Sequence, residues 1–373
     1  MVSLPQASGM KAWRLHGPSG RFVLEDVDIP RPKPGGAVVR MQAAPVLSYM
    51  HRVLDGSLGY ALPAQPFVPG TNGIGLIESV GAGVYHLKPG DRVILSPHHV
   101  VDERTANPAQ LLIGLTAMGS GGFATIPAEA LALQKDWPDG VLAEYAQLPA
   151  ACMTPLPGLD ATPAEQLAAL AKFVVPYGGL LRGAFQGGEV AIVNGASGYF
   201  GSAAVLLALA MGAALVVAAG RDRDALETVA AAGGARVRLV ALSGDVAADV
   251  NALRAAANGG ADFALDIVGR AKSASSTLAT LKALLRGGRL MLMGSVLEPL
   301  PIAVGEMLAN DWSVTGVFMY PKNAPARLAT MVASGTLRLD AIKVRRFPLT
   351  DLPAAMDAAA RMRSLDLTVV DMS

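Results

Sequence analysis

The chain has 373 residues, 52% of them hydrophobic, a formal net charge of +1 and a single cysteine, Cys152. That length exceeds what one core fills, so two domains are expected, and the hydrophobic content excludes a disordered chain. The balanced charge excludes the basic face that nucleic acid needs. One cysteine excludes an intramolecular disulfide framework and any multi-cysteine zinc site, and it fits a reduced, cytoplasmic setting.

The opening residues, "MVSLPQASGMKAWRLHG", lack the apolar core of a signal peptide. The runs "KAWRLHG", "RFVLEDV", "GAVVRMQAAPV", "GIGLIESVG", "DRVILS" and "GFATIP" then follow, apolar or alternating, with turn clusters such as "PRPKPGG" and "KPGDR" between them. This pattern predicts an antiparallel, barrel-like unit. Residues 98–120 show little periodicity and are expected to form a long connection, a lid or an interaction loop.

From about residue 156 the texture changes. "PAEQLAALAKF" predicts a helix. Strand "EVAIVN", helix "FGSAAVLLALAMG" and strand "ALVVAAG" follow, then helix "DRDALETVAAAG" and strand "RLVAL". Helix "VAADVNALRAAA", strand "DFALDIV", helix "SSTLATLKALLR" and strand "RLMLMG" complete an alternation that predicts a parallel, doubly wound sheet. The uncharged run 203–220 approaches the length of a membrane span. A preceding glycine turn and the Met211-Gly212 break favour a buried helix and a buried strand, so no membrane contact is expected. Strand-like "VRRFPL" and helical "LPAAMDAAARM" are expected to return to the first domain.

Two glycine patterns compete for a nucleotide. "PGTNGIG" has Gly70, Gly73 and Gly75, but an alternating strand follows it, not a helix. Its glycines are expected to serve a tight backbone approach. "VAIVNGASGYFGSAAV" has Gly195, Gly198 and Gly201 between a buried strand and a helix, a variant of the dinucleotide fingerprint. The helix amino terminus there offers free N–H groups and a positive dipole end. After the next strand the chain reads Gly220-Arg221-Asp222-Arg223. An acidic residue at this point would select NAD. A small residue followed by arginines has room and charge for a 2′-phosphate, so NADPH is the expected cofactor. The alternative is a solvated pair of arginines at a helix start, with Asp222 or Asp224 as its cap.

With these residues in view, the chain resembles the medium-chain dehydrogenase/reductase superfamily over nearly its whole length. The resemblance rests on "PGTNGIGLIESVGAG…LKPGDRV", "GGFATIP", "NGASGYFGSAAV", "DIVG", "GRLMLMGS" and "FPLTDLPAAMDAA". It implies an α/β protein: a GroES-like β-barrel catalytic domain (1–155 and 315–373), a Rossmann domain (156–314) and a cleft between them. It also implies cofactor contacts from Thr154, from Gly195 and Ser197 through Gly198 and Tyr199 to Phe200, and from Gly220, Arg221 and Arg223. Ile267, Val268, Gly294, Ser295, Val296 and Phe318 are implied on the nicotinamide side. A homodimer paired through the edge strand in "DWSVTGVFMY" is a further expectation, with a small molecule as substrate.

Zinc-dependent members carry Gly-His-Glu where this chain has Gly70-Thr71-Asn72, and their other ligands fall near Leu47 and Ala150. Those residues are not zinc donors, so no metal is expected. His51, His98 and His99 would bind a metal only by an unrelated arrangement, and Cys152 reads as a small buried filler. The nearest resemblance is to the zinc-independent branch, quinone oxidoreductases and double-bond reductases. Tyr60 resembles the tyrosine lining their pocket, and Tyr49 falls where zinc-dependent relatives place a proton-relay hydroxyl. Tyr49, Tyr60, His51 and Asn72 are therefore the candidate catalytic residues. Packing, surface and turn roles are the alternatives. "LSYM" (47–50) and the long segment 158–186 depart from the quinone-oxidoreductase pattern.

Three readings remain open from the sequence. One is NADPH-dependent reduction of an activated C=C bond or a quinone. Another is zinc-free reduction of a C=O or C=N bond. The third is a nucleotide-binding protein with little turnover.

Overall fold

The structure is a computed structural model that describes residues 9–17, 21–101, 104–119 and 125–372. The chain divides into two compact units. The first holds the described residues within 1–171, 344–362 and 367–373; the second holds 172–343 and 363–366.

In the first unit, strand Gly36–Pro45 is the hub. It pairs antiparallel with Gly73–Val80, Tyr145–Pro149 and the end of the last strand, Val369–Asp371. Gly73–Val80 pairs in turn with Arg92–Leu95, and that strand with Met153–Pro155. The hub is apolar on both faces because Val38, Val39, Met41 and Ala43 are all buried. Strands Gly9–His16 and Arg21–Asp28 form a separate hairpin.

The connection expected at 98–120 is instead a small antiparallel sheet: His98–Val100, Gln110–Leu112 and Thr116–Met118. Three-residue strands are too short to print an alternation in the sequence. Residues 122–124 of the predicted strand "GFATIP" lie outside the described residues, and helix Ala128–Asp136 follows it.

The second unit is a six-stranded parallel sheet. Its spatial order is Val237–Ala241, Leu215–Gly220, Val190–Asn194, Ala261–Asp266, Leu284–Leu292, Ser313–Gly316. This is the doubly wound order, with its switch point between Val190–Asn194 and Ala261–Asp266. Ile192, Val217, Ala264, Leu290 and Trp312 share its core. Ser313–Gly316 pairs with Leu284–Leu292 and extends the sheet, which carries this unit to Lys343, beyond the 314/315 boundary expected from sequence. At the other end the boundary falls at Lys172 and not at 156. The helix expected over 275–286 stops at Lys282, because Leu284 pairs with Ala261 in the sheet.

The apolar run 203–220 resolves into helix Tyr199–Ala210 and strand Leu215–Gly220. Among the described residues no helix is long and apolar enough to cross a membrane.

Candidate functional site

The glycine-rich turn of the second unit is built by close contact. Gly195 leaves the strand at φ +92°, a left-handed conformation that favours glycine. The N–H groups of Gly195 and Ala196 both donate to the Ala219 carbonyl, at 3.0 and 2.9 Å. A Cβ on Gly201 would lie 2.0 Å from the Gly195 oxygen, and one on Gly220 would lie 2.8 Å from Ser197 Oγ. Gly198 is the N-cap of helix Tyr199–Ala210, and its side offers no capping oxygen to the first helical N–H groups. A negatively charged ligand group supplies what that helix end lacks. Tyr199 and Phe200 pack edge to face beside it, ring centroids 4.9 Å apart.

The nicotinamide-side residues expected from sequence are drawn together at the next strand ends. Ser295 N–H donates to Val268 O at 2.8 Å, and Gly294 N–H to Asp266 O at 3.0 Å. A Cβ on Gly294 would meet Val268 O at 2.7 Å. A cavity of about 190 Å³ opens there, lined by Asp266, Thr277, Leu292, Gly294 and Val296 among others. Phe318 lies just past the edge strand and is half exposed.

At the ribose end, Arg221 is exposed. Asp222 caps helix Arg223–Gly233 by accepting from Ala225 N–H at 3.1 Å. Arg223 forms an i,i+4 pair with Glu227 at 3.1 Å. The helix-start arrangement thus accounts for Asp222 and Arg223.

Asp266 was not singled out in the sequence, although it opens the "DIVG" motif. It is 1% exposed and accepts from Asn194 Nδ2 at 2.8 Å. Burial pushes its pKa up, opposed by hydrogen bonds from Asn194 and Val268 N–H. The pair ties the two strands at the switch point. No sequence signal announces it, since its members stand 72 residues apart.

The first unit carries the candidate catalytic residues. Tyr49 immediately precedes the short helix Met50–Leu54. Burial, and then the neighbouring Tyr60 phenol, push the Tyr49 pKa well above the usual tyrosine range. Asn72 donates from Nδ2 to Leu95 O at 3.2 Å, so its amide joins two strand ends. Thr154 stands opposite Ile94 in the neighbouring strand pair and is half buried. His51 is drawn away from this group. It pairs with Asp357 at 3.0 Å on an exposed surface. Cys152 is buried, with Sγ 3.9 Å from His98 O.

Gly70 explains the opening glycine pattern. Its φ is +106°, and Cβ atoms on Gly114 and Gly140 would lie 2.4 and 1.9 Å from its carbonyl oxygen. Three backbone segments converge there. The pattern serves packing, as the following strand implied.

Two family profiles match. Residues 33–158 match "Alcohol dehydrogenase GroES-like domain" and 200–334 match "Zinc-binding dehydrogenase". An alcohol dehydrogenase of Moraxella sp. is 30% identical over 88% of this chain and 90% of its own length. The chain belongs to the medium-chain dehydrogenase/reductase superfamily. It is an oxidoreductase of that superfamily with a GroES-like unit and a Rossmann unit. The sorbitol dehydrogenase of Pongo abelii is 29% identical over 90% of this chain and 88% of its own. A protein of Sinorhizobium meliloti 1021, described as a zinc-binding dehydrogenase and solved bound to NADP, shares the fold. Its TM-score is 0.75 at 22% identity, over 98% of this chain and 100% of its own.

These relatives bear alcohol and polyol dehydrogenase names. The resemblance to quinone oxidoreductases drawn from the sequence is therefore corrected to the superfamily, and membership of its zinc-independent branch finds no support in them. The donor set tests the zinc separately. Among the described residues, no three His, Cys, Asp or Glu side chains converge on one point. At the positions that hold zinc in metal-dependent members stand Leu47, Thr71, Asn72 and Ala150, which offer one hydroxyl and one amide already engaged with Leu95 O. A catalytic zinc needs three thiolate, imidazole or carboxylate ligands, and these residues do not fit it.

Proposed function

We propose that this chain is an NADPH-dependent reductase of carbonyl compounds that works without zinc. The observation that carries the reading is the phenol at Tyr49. It replaces a metal donor set with a half-buried hydroxyl that keeps its proton.

The cofactor part rests on the turn at 195–201, whose glycines let the strand end and the helix start pack backbone against backbone. Backbone N–H groups from Ser197 to Phe200 would hold the diphosphate, and Arg221 the 2′-phosphate. Val268 and Gly294 to Val296 would hold the nicotinamide side. When bound, the reduced dinucleotide supplies a hydride.

The chain's own residues then manage the oxygen. A carbonyl carbon that gains hydride leaves negative charge on its oxygen. Tyr49 Oη donates a hydrogen bond to that oxygen and passes it a proton, which solvent then replaces. Because its pKa is raised, Tyr49 is a donor at neutral pH and not a base. Burial, and after it the neighbouring Tyr60, hold the Tyr49 phenol in its protonated form. The alcohol and polyol dehydrogenase names of its relatives favour a C=O group as the acceptor.

Reduction of an activated C=C bond is a second reading. It is favoured by the lack of a Lewis-acid donor set, since an enolate oxygen asks less of a hydrogen-bond donor than a simple ketone does. A product-identified assay with NADPH on matched ketones, imines and enones decides. A secondary alcohol from the ketone supports the first reading. A saturated carbonyl from the enone, with the ketone untouched, supports the second. NADPH binding without oxidation across the panel rejects both.

The edge strand Ser313–Gly316 has a neighbour on one side only, which supports a homodimer paired strand to strand. Sedimentation equilibrium tests it.

A further inference from the structure

One charged side chain in the second unit has no role in the chemistry above. Lys172 begins that unit, near the start of the apolar helix Leu170–Arg182, and it is 0% exposed. An apolar residue would fill the position without the cost of taking an ammonium out of water. The ammonium is fully engaged. Its Nζ donates to Ser364 O at 2.5 Å, lies 3.4 Å from Asp366 O and sits 4.0 Å from the centre of the Tyr199 ring.

Two of these contacts, to Ser364 and to Tyr199, lead to the dinucleotide turn. Ser364 N–H donates to the carbonyl of Ser197 at 3.1 Å. Ser202 Oγ, one turn into the helix that follows the glycines, donates to the same Ser364 carbonyl at 2.7 Å. Ser364 Oγ donates to Ala225 O, in the helix that Asp222 caps, at 3.3 Å. Tyr199 is the first residue of the helix at the turn. Ser364 itself is held at φ +44°, a conformation that a serine rarely adopts and that its surroundings must impose.

We propose that Lys172 is a positioning residue for the dinucleotide: its ammonium fastens the 363–366 segment and the Tyr199 ring against the glycine-rich turn, and so fixes the backbone that binds the diphosphate. The assignment rests on the dinucleotide reading of that turn. Lys172 touches neither the nucleotide nor the substrate in this account.

The charge matters as well as the shape. Burial pushes the Lys172 pKa down to about 7, and the Asp366 carboxylate pulls it back up. The groups facing the ammonium are that carboxylate and the Tyr199 phenol. Below this pH the side chain carries three donors and a charge over the ring. Above it, the amine keeps its shape and loses the charge, and the hold on Ser364 and Tyr199 weakens.

The test is NADPH affinity by fluorescence titration on the whole protein, native and K172M, from pH 6 to pH 9. Lys172→Met is expected to weaken binding about tenfold at pH 6, the worth of one charge-assisted hydrogen bond. The gap should narrow toward pH 9, where the native lysine is itself neutral. Titration of the cofactor phosphate cancels in that ratio. A gap that is absent, or constant across pH, overturns the assignment and leaves the dinucleotide reading intact. If the native chain fails to bind NADPH at all, both fall. Should K172M not fold, amide exchange in the native chain takes its place. Ser364 N–H should be less protected at pH 9 than at pH 6 after correction for the intrinsic rate, and equal protection overturns the assignment.

Discussion

The Cβ position of Gly201 lies 2.0 Å from the carbonyl oxygen of Gly195, so no side chain at 201 is compatible with this turn. Gly201→Ala must push the helix away from the strand end. We expect a loss of about 2 kcal/mol in stability, typical of overpacking a close contact, together with a marked loss of NADPH affinity. Thermal unfolding with and without NADPH checks both. An alanine variant that is stabilised by NADPH as well as the native chain is would contradict the turn's role.

Arg221 and Arg223 differ in their engagements. Arg223 is paired with Glu227, whereas Arg221 is exposed beside Gly220. Arg221→Ala is expected to weaken NADPH by at least about tenfold and NADH hardly at all. Arg223→Ala should do less. Equal losses for the two cofactors at Arg221 would remove the phosphate contact from this account.

Tyr49→Phe removes the proposed proton donor and keeps the ring. The expected outcome is a fall in kcat/KM of about 10² or more with NADPH affinity unchanged. The pH dependence has a definite sign. The Tyr49 pKa is raised, so the donor form persists through the mildly alkaline range and is lost only above the ordinary tyrosine pKa. The native rate should show no alkaline decline from this group below about pH 10. Folding follows the same rule. A raised pKa contributes stability that is complete below the unfolded value and disappears as pH climbs through the folded one. Above about pH 10, the native chain should therefore lose stability that Tyr49→Phe retains.

Metal removal separates this chain from relatives that carry a zinc donor set. Prolonged dialysis against a chelator should leave both activity and NADPH affinity unchanged, and elemental analysis should find less than stoichiometric zinc. A chelator-sensitive rate restored by zinc would overturn the zinc-free reading.

His51 should be dispensable for turnover. It pairs with Asp357 on an exposed surface, a setting in which an ion pair contributes little. His51→Ala should keep the native kcat, and a large fall in kcat would return His51 to the site.

The sequence displayed what depends on near neighbours. Apolar runs and turn clusters gave the strands, and the spacing of Gly195, Gly198 and Gly201 gave the nucleotide turn. Contacts between distant segments were hidden. Lys172 and Ser364 stand 192 residues apart, and Asn194 and Asp266 stand 72 apart. The only local hint was a lone lysine in "AALAKFVV". His51 misled because helix Met50–Leu54 places it beside Tyr49 in sequence while its imidazole turns to Asp357. The branch of the superfamily was misjudged for another reason. Substitutions at metal positions say which chemistry is missing, and they do not name the nearest kin.

The placement of 363–366 in the second unit bears on how the chain is made. The acceptor for Lys172 and Ser202 is supplied by Ser364, well beyond the last strand of the sheet, Ser313–Gly316. During synthesis the sheet can assemble once residue 316 has emerged. Until Ser364 follows, though, a buried ammonium waits beside it without that carbonyl. Nucleotide competence therefore follows the sheet and does not accompany it, and a fragment cut at Lys343 should fold loosely around an unpaired charge.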